Sequence, residues 1–266
     1  MTRAPDGTIY DLEGPQDAPV VVLIHGLGLN RAVWDQTVPA LSGPFQVLSY
    51  DMLGHGQTPA PEAAPNLAML AGQVAGLLDH LGVQKAALVG FSLGGMIARR
   101  FAQDYARRTL ALAILHSSHR RTPEAQAAIL ARVAQARRDG PASTVEAALD
   151  RWFTDAFRLQ RPDIMNRVRG WVLANDPATY QFFYEILASG VAEIVEPQPP
   201  ITASTLVVTG DQDFGNGPEM THAIAAEVAG AQTLILPGLR HMALMEAPAL
   251  TNAALLSFLA KAVPHG

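Results

Sequence analysis

Short apolar runs alternate with amphipathic segments through the first 118 residues, and this alternation limits the fold more than any other feature of the chain. The runs are Val20 to His25, Phe45 to Asp51, Ala86 to Phe91 and Leu110 to His116. Amphipathic stretches lie between them, from Arg31 to Leu41, Asn66 to Leu81 and Leu93 to Tyr105. Strands joined by crossover helices pair in parallel, and strands buried on both faces read as nearly continuous apolar runs. The pattern predicts an α/β domain with a mostly parallel sheet flanked by helices. Further strands are expected at Thr205 to Gly210 and Gln232 to Pro237, with helices over Pro218 to Val228 and from about Met245 to Ala262. At 266 residues and 49% hydrophobic, the chain can close one such domain around a full core.

The rhythm breaks after residue 118. From Thr122 to about Gly190 no strand-like run occurs, and four helical stretches are separated by Gly140-Pro141, Arg161-Pro162 and Asp176-Pro177. This predicts a helical cap over residues 119–195, inserted into a core domain made of residues 1–118 and 196–266. The insertion holds eight of the 17 aromatics, Trp152, Phe153, Phe157, Trp171, Tyr180, Phe182, Phe183 and Tyr184. A lid over an apolar pocket produces that enrichment, and so does a helical subdomain packing its own core. Ten of the 17 arginines also fall between Arg120 and Arg169. Nine acidic residues accompany them between positions 119 and 195, so the region reads as solvated helix faces rather than a basic patch.

Composition removes several function classes. A net charge of -5 gives no electrostatic footprint for nucleic acid. The absence of cysteine removes disulfides, thiolate metal sites and a cysteine nucleophile. Met1 to Gly14 is polar, without the apolar core of a signal peptide, and no run approaches the roughly 18 apolar residues of a membrane span. The expectation is a soluble, cytoplasmic protein acting on a small molecule, with no membrane or nucleic-acid partner and no metal or other cofactor.

The segment Gly90-Phe91-Ser92-Leu93-Gly94 follows an apolar run and precedes a helix-compatible stretch. That context puts Ser92 on a sharp strand-to-helix turn, with its hydroxyl held out from the sheet edge. A serine hydroxyl is a weak nucleophile near neutral pH, so it needs a base and a group that orients the base. In an open parallel sheet the site lies beyond the carboxyl ends of the strands. His241 follows the strand ending near Pro237, and Asp211 and Asp213 follow the one ending near Gly210. Alternation points both aspartates the same way, so periodicity leaves them unresolved. The other histidines fit the base poorly: His80 and His222 lie in predicted helices, His265 is terminal, and His25 and His55 sit in glycine turns where they bond backbone. His116 and His119 follow a strand end and could line a pocket. The order serine, aspartate, histidine matches a known arrangement of this chemistry. Backbone N–H groups of Leu93 and of Leu27, in His25-Gly26-Leu27-Gly28, are the expected oxyanion donors. Asp51 to Gly56 reads as a structural turn.

His25 to Gly28 with Trp34, Asp51 to Gly56, Gly90 to Gly95, Gly210-x-x-Asp213, and His241 with Glu246-Ala247-Pro248 together resemble the α/β-hydrolase superfamily over nearly the whole chain. The resemblance implies the α/β-hydrolase fold, a helical cap at the insertion, and Asp213 rather than Asp211 as the triad acid. Asn30 to Asp35 and Tyr50 to Gly56 are similar to 3-oxoadipate enol-lactonases and small carboxylesterases. Those lactonases usually carry arginine where Leu53 stands, and most relatives carry glycine at Arg240, which here could bring a cation to the pocket rim. The implied activity is hydrolysis of carboxylic esters or lactones by Ser92, His241 and Asp213 through an acyl-enzyme. Asn30, Trp34, His116, Trp152, Phe153 and Met242 are candidate substrate contacts. A C–C bond hydrolase of diketones could use the same triad, although that group tends to have tryptophan at Met242. A ligand receptor on the same fold would leave the triad idle.

Overall fold

The computed structural model describes residues 1–263, so the expectation for His265 lies outside the described residues. Among the described residues eight strands form one sheet: β1 (Thr2–Arg3), β2 (Ile9–Glu13), β3 (Val20–Ile24), β4 (Gln46–Tyr50), β5 (Ala86–Phe91), β6 (Thr109–Leu115), β7 (Ser204–Gly210) and β8 (Gln232–Leu236). Their order is β1-β2-β4-β3-β5-β6-β7-β8. The β1–β2 and β2–β4 pairs are antiparallel, and every other neighbouring pair is parallel. All six strands expected from the sequence are present. The missed pair, β1 and β2, forms one edge of the sheet. Its residues are largely polar because that edge is half solvated, as the burial of β2 falls from Ile9 to Glu13.

The central strands are buried on both faces, and successive side chains feed two separate cores. Val20, Val22 and Ile24 of β3 join one core, while Val21 and Leu23 join the other. The helices before residue 119 are α1 (Val38–Leu41), α2 (Leu67–His80) and α3 (Leu93–Asp104), and three more follow β7. Residues of α2 and α3 fill the first core, and those of α1 and the chain's last helix fill the second. Two predicted helices are broken. The stretch from Arg31 to Leu41 splits into a 3₁₀ turn, Arg31–Trp34, and α1, because Asn30 caps the first piece. Its side-chain oxygen accepts the Ala32 N–H at 3.0 Å.

Five α-helices, where four were expected, lie between β6 and β7: α4 (Pro123–Asp139), α5 (Val145–Trp152), α6 (Asp155–Gln160), α7 (Pro162–Leu173) and α8 (Pro177–Ser189). The extra break falls at Thr154, whose hydroxyl caps α6 by accepting the Phe157 N–H. Beyond β7 come α9 (Pro218–Ala226), α10 (Ala243–Glu246) and α11 (Pro248–Ala262). Pro248 starts α11 afresh, so the single C-terminal helix expected from Met245 is two. Among the described residues no helix is long and apolar enough to cross a membrane.

Candidate active site

Ser92 sits between β5 and α3 with φ 56° and ψ −114°, in a region that costs an L-residue strain. Neighbours fix this conformation. The Ser92 amide donates to the Leu115 carbonyl at 2.8 Å, and the Ser117 hydroxyl donates to the Ser92 carbonyl at 2.8 Å. The flanking glycines are required by close approach. A β-carbon on Gly90 would lie 2.2 Å from the Gly94 carbonyl oxygen, and one on Gly94 would lie 2.1 Å from the Ile24 carbonyl oxygen. Strand and helix can meet here only because both side chains are hydrogen.

Ser92, His116, Asp213 and His241 follow β5, β6, β7 and β8, which are adjacent in the sheet, so topology alone gathers them at one edge. Asp213 Oδ2 takes His241 Nδ1 at 2.7 Å and His116 Nδ1 at 3.0 Å. Its other oxygen, Oδ1, accepts the Gly215 and Asn216 amides, both at 3.0 Å. Burial favours the neutral carboxyl, but the His241 charge and the hydrogen bonds from both imidazoles outweigh it. They hold Asp213 well below the usual carboxylate range. Burial also pushes the His116 imidazole down, against the pull of Asp213, so it stays neutral. With Nδ1 held by Asp213, each imidazole has its Nε2 left for a partner other than that carboxylate. Asp211 lies outside this network and is a turn residue, its carboxylate accepting the Gly238 amide at 2.7 Å.

A cavity of about 90 Å³ opens over Ser92 and is also lined by Leu27, Trp152, Asp213 and His241. The Trp152 ring stacks on the His241 ring with centroids 6.2 Å apart. Leu93 is fully buried at the start of α3. His116 lies behind the cavity, against Asp213, and its Nε2 has no hydrogen-bond partner among the described residues.

Four candidate substrate contacts lie elsewhere. Asn30 spends its side chain on the Ala32 cap and borders a different surface pocket beside Arg31 and Asp51. Trp34, Phe153 and Met242 are fully buried in the second core, Phe153 stacked on Phe157 at 5.5 Å. Arg240 is not a rim cation. Its Nη1 donates to the Asp150 and Phe153 carbonyls at 2.9 and 2.8 Å and pairs with Asp155, pinning α5 and α6 to the His241 loop. Asp51, as expected, is structural: it is buried and bonds the Arg31 amide, the Arg31 guanidinium and the Gln57 amide.

The reading of the insertion's arginines as solvated faces fails at three positions. Arg121, Arg132 and Arg151 line the Ser92 cavity, with Tyr180 and Tyr184 from α8. A signal for the tyrosines was present, since residues four apart share a helix face. Arg132 likewise lies three residues from Ile129, another lining residue. Of the eight aromatics between residues 119 and 195, Trp152, Tyr180 and Tyr184 line this cavity.

His116, Asp213 and His241 are also the one group of potential metal-ligating side chains found among the described residues, their donor atoms lying within 4.8 Å of one another. These donors are engaged with each other: both Nδ1 atoms meet Asp213 Oδ2, and Oδ1 is taken by two backbone amides.

Comparison with known proteins agrees with this architecture. The chain is similar to 3-oxoadipate enol-lactonase 1 of Acinetobacter baylyi, at 30% identity over 76% of this chain and 74% of that protein. It is similar to the (E)-2-((N-methylformamido)methylene)succinate hydrolase of the same organism, at 27% identity over 95% and 94% of the two chains. Its fold superposes on the crystal structure of the enol-lactonase from Burkholderia xenovorans with a TM-score of 0.88, 28% identity, and coverage of 95% and 96%. The profile of the alpha/beta hydrolase fold family matches residues 19–248, and the chain belongs to that family, near its enol-lactonase-like members.

Proposed function

We propose that this hydrolase cleaves carboxylic esters or lactones with Ser92 as nucleophile, His241 as general base and Asp213 as the group that orients His241. The observation that carries the reading is the strained Ser92 sharing one cavity with a His241 whose Nδ1 is held by a buried carboxylate. His241 Nε2 takes the proton as Ser92 Oγ attacks the carbonyl carbon, and the carbonyl oxygen becomes an oxyanion facing the backbone N–H groups of Leu27 and Leu93. Collapse of the tetrahedral intermediate breaks the carbon–oxygen bond, and His241 gives its proton to the departing alkoxide. In a lactone that alcohol stays tethered to the acyl group. Water then loses a proton to His241, attacks the acyl-enzyme and releases the acid with Ser92 restored. The enol-lactonase relatives support a lactone or ester as the substrate.

In this reading residues 119–195 act as a cap, and residues 1–118 and 196–266 as the catalytic core. Trp152, Tyr180 and Tyr184 from α5 and α8 line the cavity that also holds Ser92. A fluorophosphonate probe tests the nucleophile directly. Intact-mass analysis should show one adduct on the wild-type protein and none on Ser92→Ala. Equal labelling of both would remove Ser92 from the mechanism.

A further inference from the structure

Three guanidinium groups in one small cavity need an explanation that the triad does not supply. Arg121, Arg132 and Arg151 all line the space over Ser92, and none forms a salt bridge among the described residues. The other arginines of the insertion are treated differently. Arg120, Arg137, Arg138, Arg158, Arg161, Arg167 and Arg169 each face a carboxylate at the surface. Asp150, next to Arg151, spends its carboxylate on Arg158. Asp213, the acidic side chain in the cavity lining, is committed to the two imidazoles.

Arg121 is fixed in place. It donates to the Leu187 and Ala188 carbonyls at 3.0 and 3.2 Å and to the Ser118 hydroxyl at 2.8 Å. Burial, then the nearby Arg132 charge, push it down to about 10. It therefore contributes a positioned positive charge. Arg132 and Arg151 make no hydrogen bond with any described residue, and Arg151 is half-buried and pushed down chiefly by that burial. A half-buried guanidinium without an acceptor forgoes its strongest available interaction, the bidentate pair with a carboxylate. Grouped like charges also repel one another, and an anion between them offsets that repulsion.

We propose that Arg132 and Arg151, beside the fixed charge of Arg121, form an anion subsite over Ser92 for an ester or lactone that carries two carboxylates. The proposal rests on the hydrolase reading for the identity of the reacting bond, but the subsite itself does not. Two free guanidinium forks match two carboxylates. Ser118 ties the subsite to the reacting end: its hydroxyl accepts from Arg121 and donates to Asn216 Oδ1 at 2.8 Å, and the Asn216 amide donates to Asp213.

The test is a calorimetric titration of Ser92→Ala protein with propane-1,2,3-tricarboxylate, glutarate and butyrate, which stand for released acids with two, one and no additional carboxylates. Each added carboxylate should tighten binding by about tenfold or more, the effect of a hydrogen-bonded ion pair. Arg132→Gln and Arg151→Gln should each lose about that factor for the tricarboxylate. Arg137→Gln, on the outer face of α4, should lose nothing. Tricarboxylate binding no tighter than glutarate, or equally weakened by Arg137→Gln, overturns the subsite. Wild-type turnover of 4-nitrophenyl butyrate and of the mono-4-nitrophenyl ester of glutarate separates the two readings. Ser92-dependent turnover without charge-selective binding leaves the hydrolase and removes the subsite. Arginine-dependent binding with no turnover of any ester does the reverse.

Discussion

His116 Nδ1 lies 3.0 Å from Asp213 Oδ2, the same oxygen that meets His241 Nδ1 at 2.7 Å. One carboxylate oxygen thus carries two imidazoles, and His116 helps to keep Asp213 ionised in a buried setting. The His116→Ala variant should lose about 1–3 kcal/mol of unfolding free energy, since a buried carboxylate loses a donor. His116 also has φ 49°, a conformation that asparagine tolerates better than most residues. His116→Asn should therefore recover part of the loss in urea denaturation. Equal stability of His116→Ala and wild type would show that the contact contributes nothing.

Acid lability should come partly from two other histidines. His25 and His55 are fully buried, and burial pushes them down to about 4 and about 3. Their rings are held by backbone, His25 Nδ1 on the Gly26 carbonyl and Nε2 accepting the Met52 amide, His55 Nδ1 on the Leu53 carbonyl. Both stay neutral in the folded protein but gain protons near pH 6.5 when unfolded. The unfolded state then binds more protons, so stability is full above about pH 6.5 and is lost as pH falls toward 4. Each imidazole contributes a slope approaching about 1.4 kcal/mol per pH unit in that window. Urea unfolding at pH 7, 6 and 5 measures it. A flat profile contradicts the assignment.

Two glycine substitutions should have opposite signs. Gly94→Ala drives a β-carbon to 2.1 Å from the Ile24 carbonyl oxygen, so it should abolish accumulation of soluble folded protein. Gly76 lies exposed in the interior of α2, with open space around its missing side chain. Gly76→Ala should stabilise by about 0.5–1 kcal/mol. Thermal unfolding of the two variants checks both statements.

For the triad acid, Asp213→Asn should lower kcat by about 10⁴-fold, the effect of fixing the wrong histidine tautomer. Asp211→Asn should stay within tenfold of wild type, because its carboxylate only holds the Gly238 turn. Steady-state kinetics on one nitrophenyl ester measures both. The reverse ranking would exchange their roles.

Ser92 and His241 could be proposed from the sequence because each follows a strand, and strand ends in a parallel sheet converge on one edge; that rule leaves Asp211 and Asp213 equal, and only the family resemblance separates them. The arginines could not, because a charge pattern along a helix does not say whether the helix faces solvent or a cavity. Arg132 and Arg137 are five residues apart on α4, yet one lines the cavity and the other pairs with Glu185 at the surface. Tryptophans present the same ambiguity. Trp34 is core and Trp152 lines the site, a difference made by tertiary packing. Asn30 carried a local signal, since asparagine ahead of a helical turn is a strong N-cap. The β2 strand escaped because a half-solvated edge need not be continuously apolar.

The central claim, that Ser92 carries the hydrolysis, is tested most directly by kcat of Ser92→Ala on a nitrophenyl ester that the wild-type protein turns over. Removal of the nucleophile from a triad that acts as a unit should lower kcat by about 10⁶-fold, with the variant still folded by circular dichroism. Turnover by folded Ser92→Ala within tenfold of wild type would contradict the account.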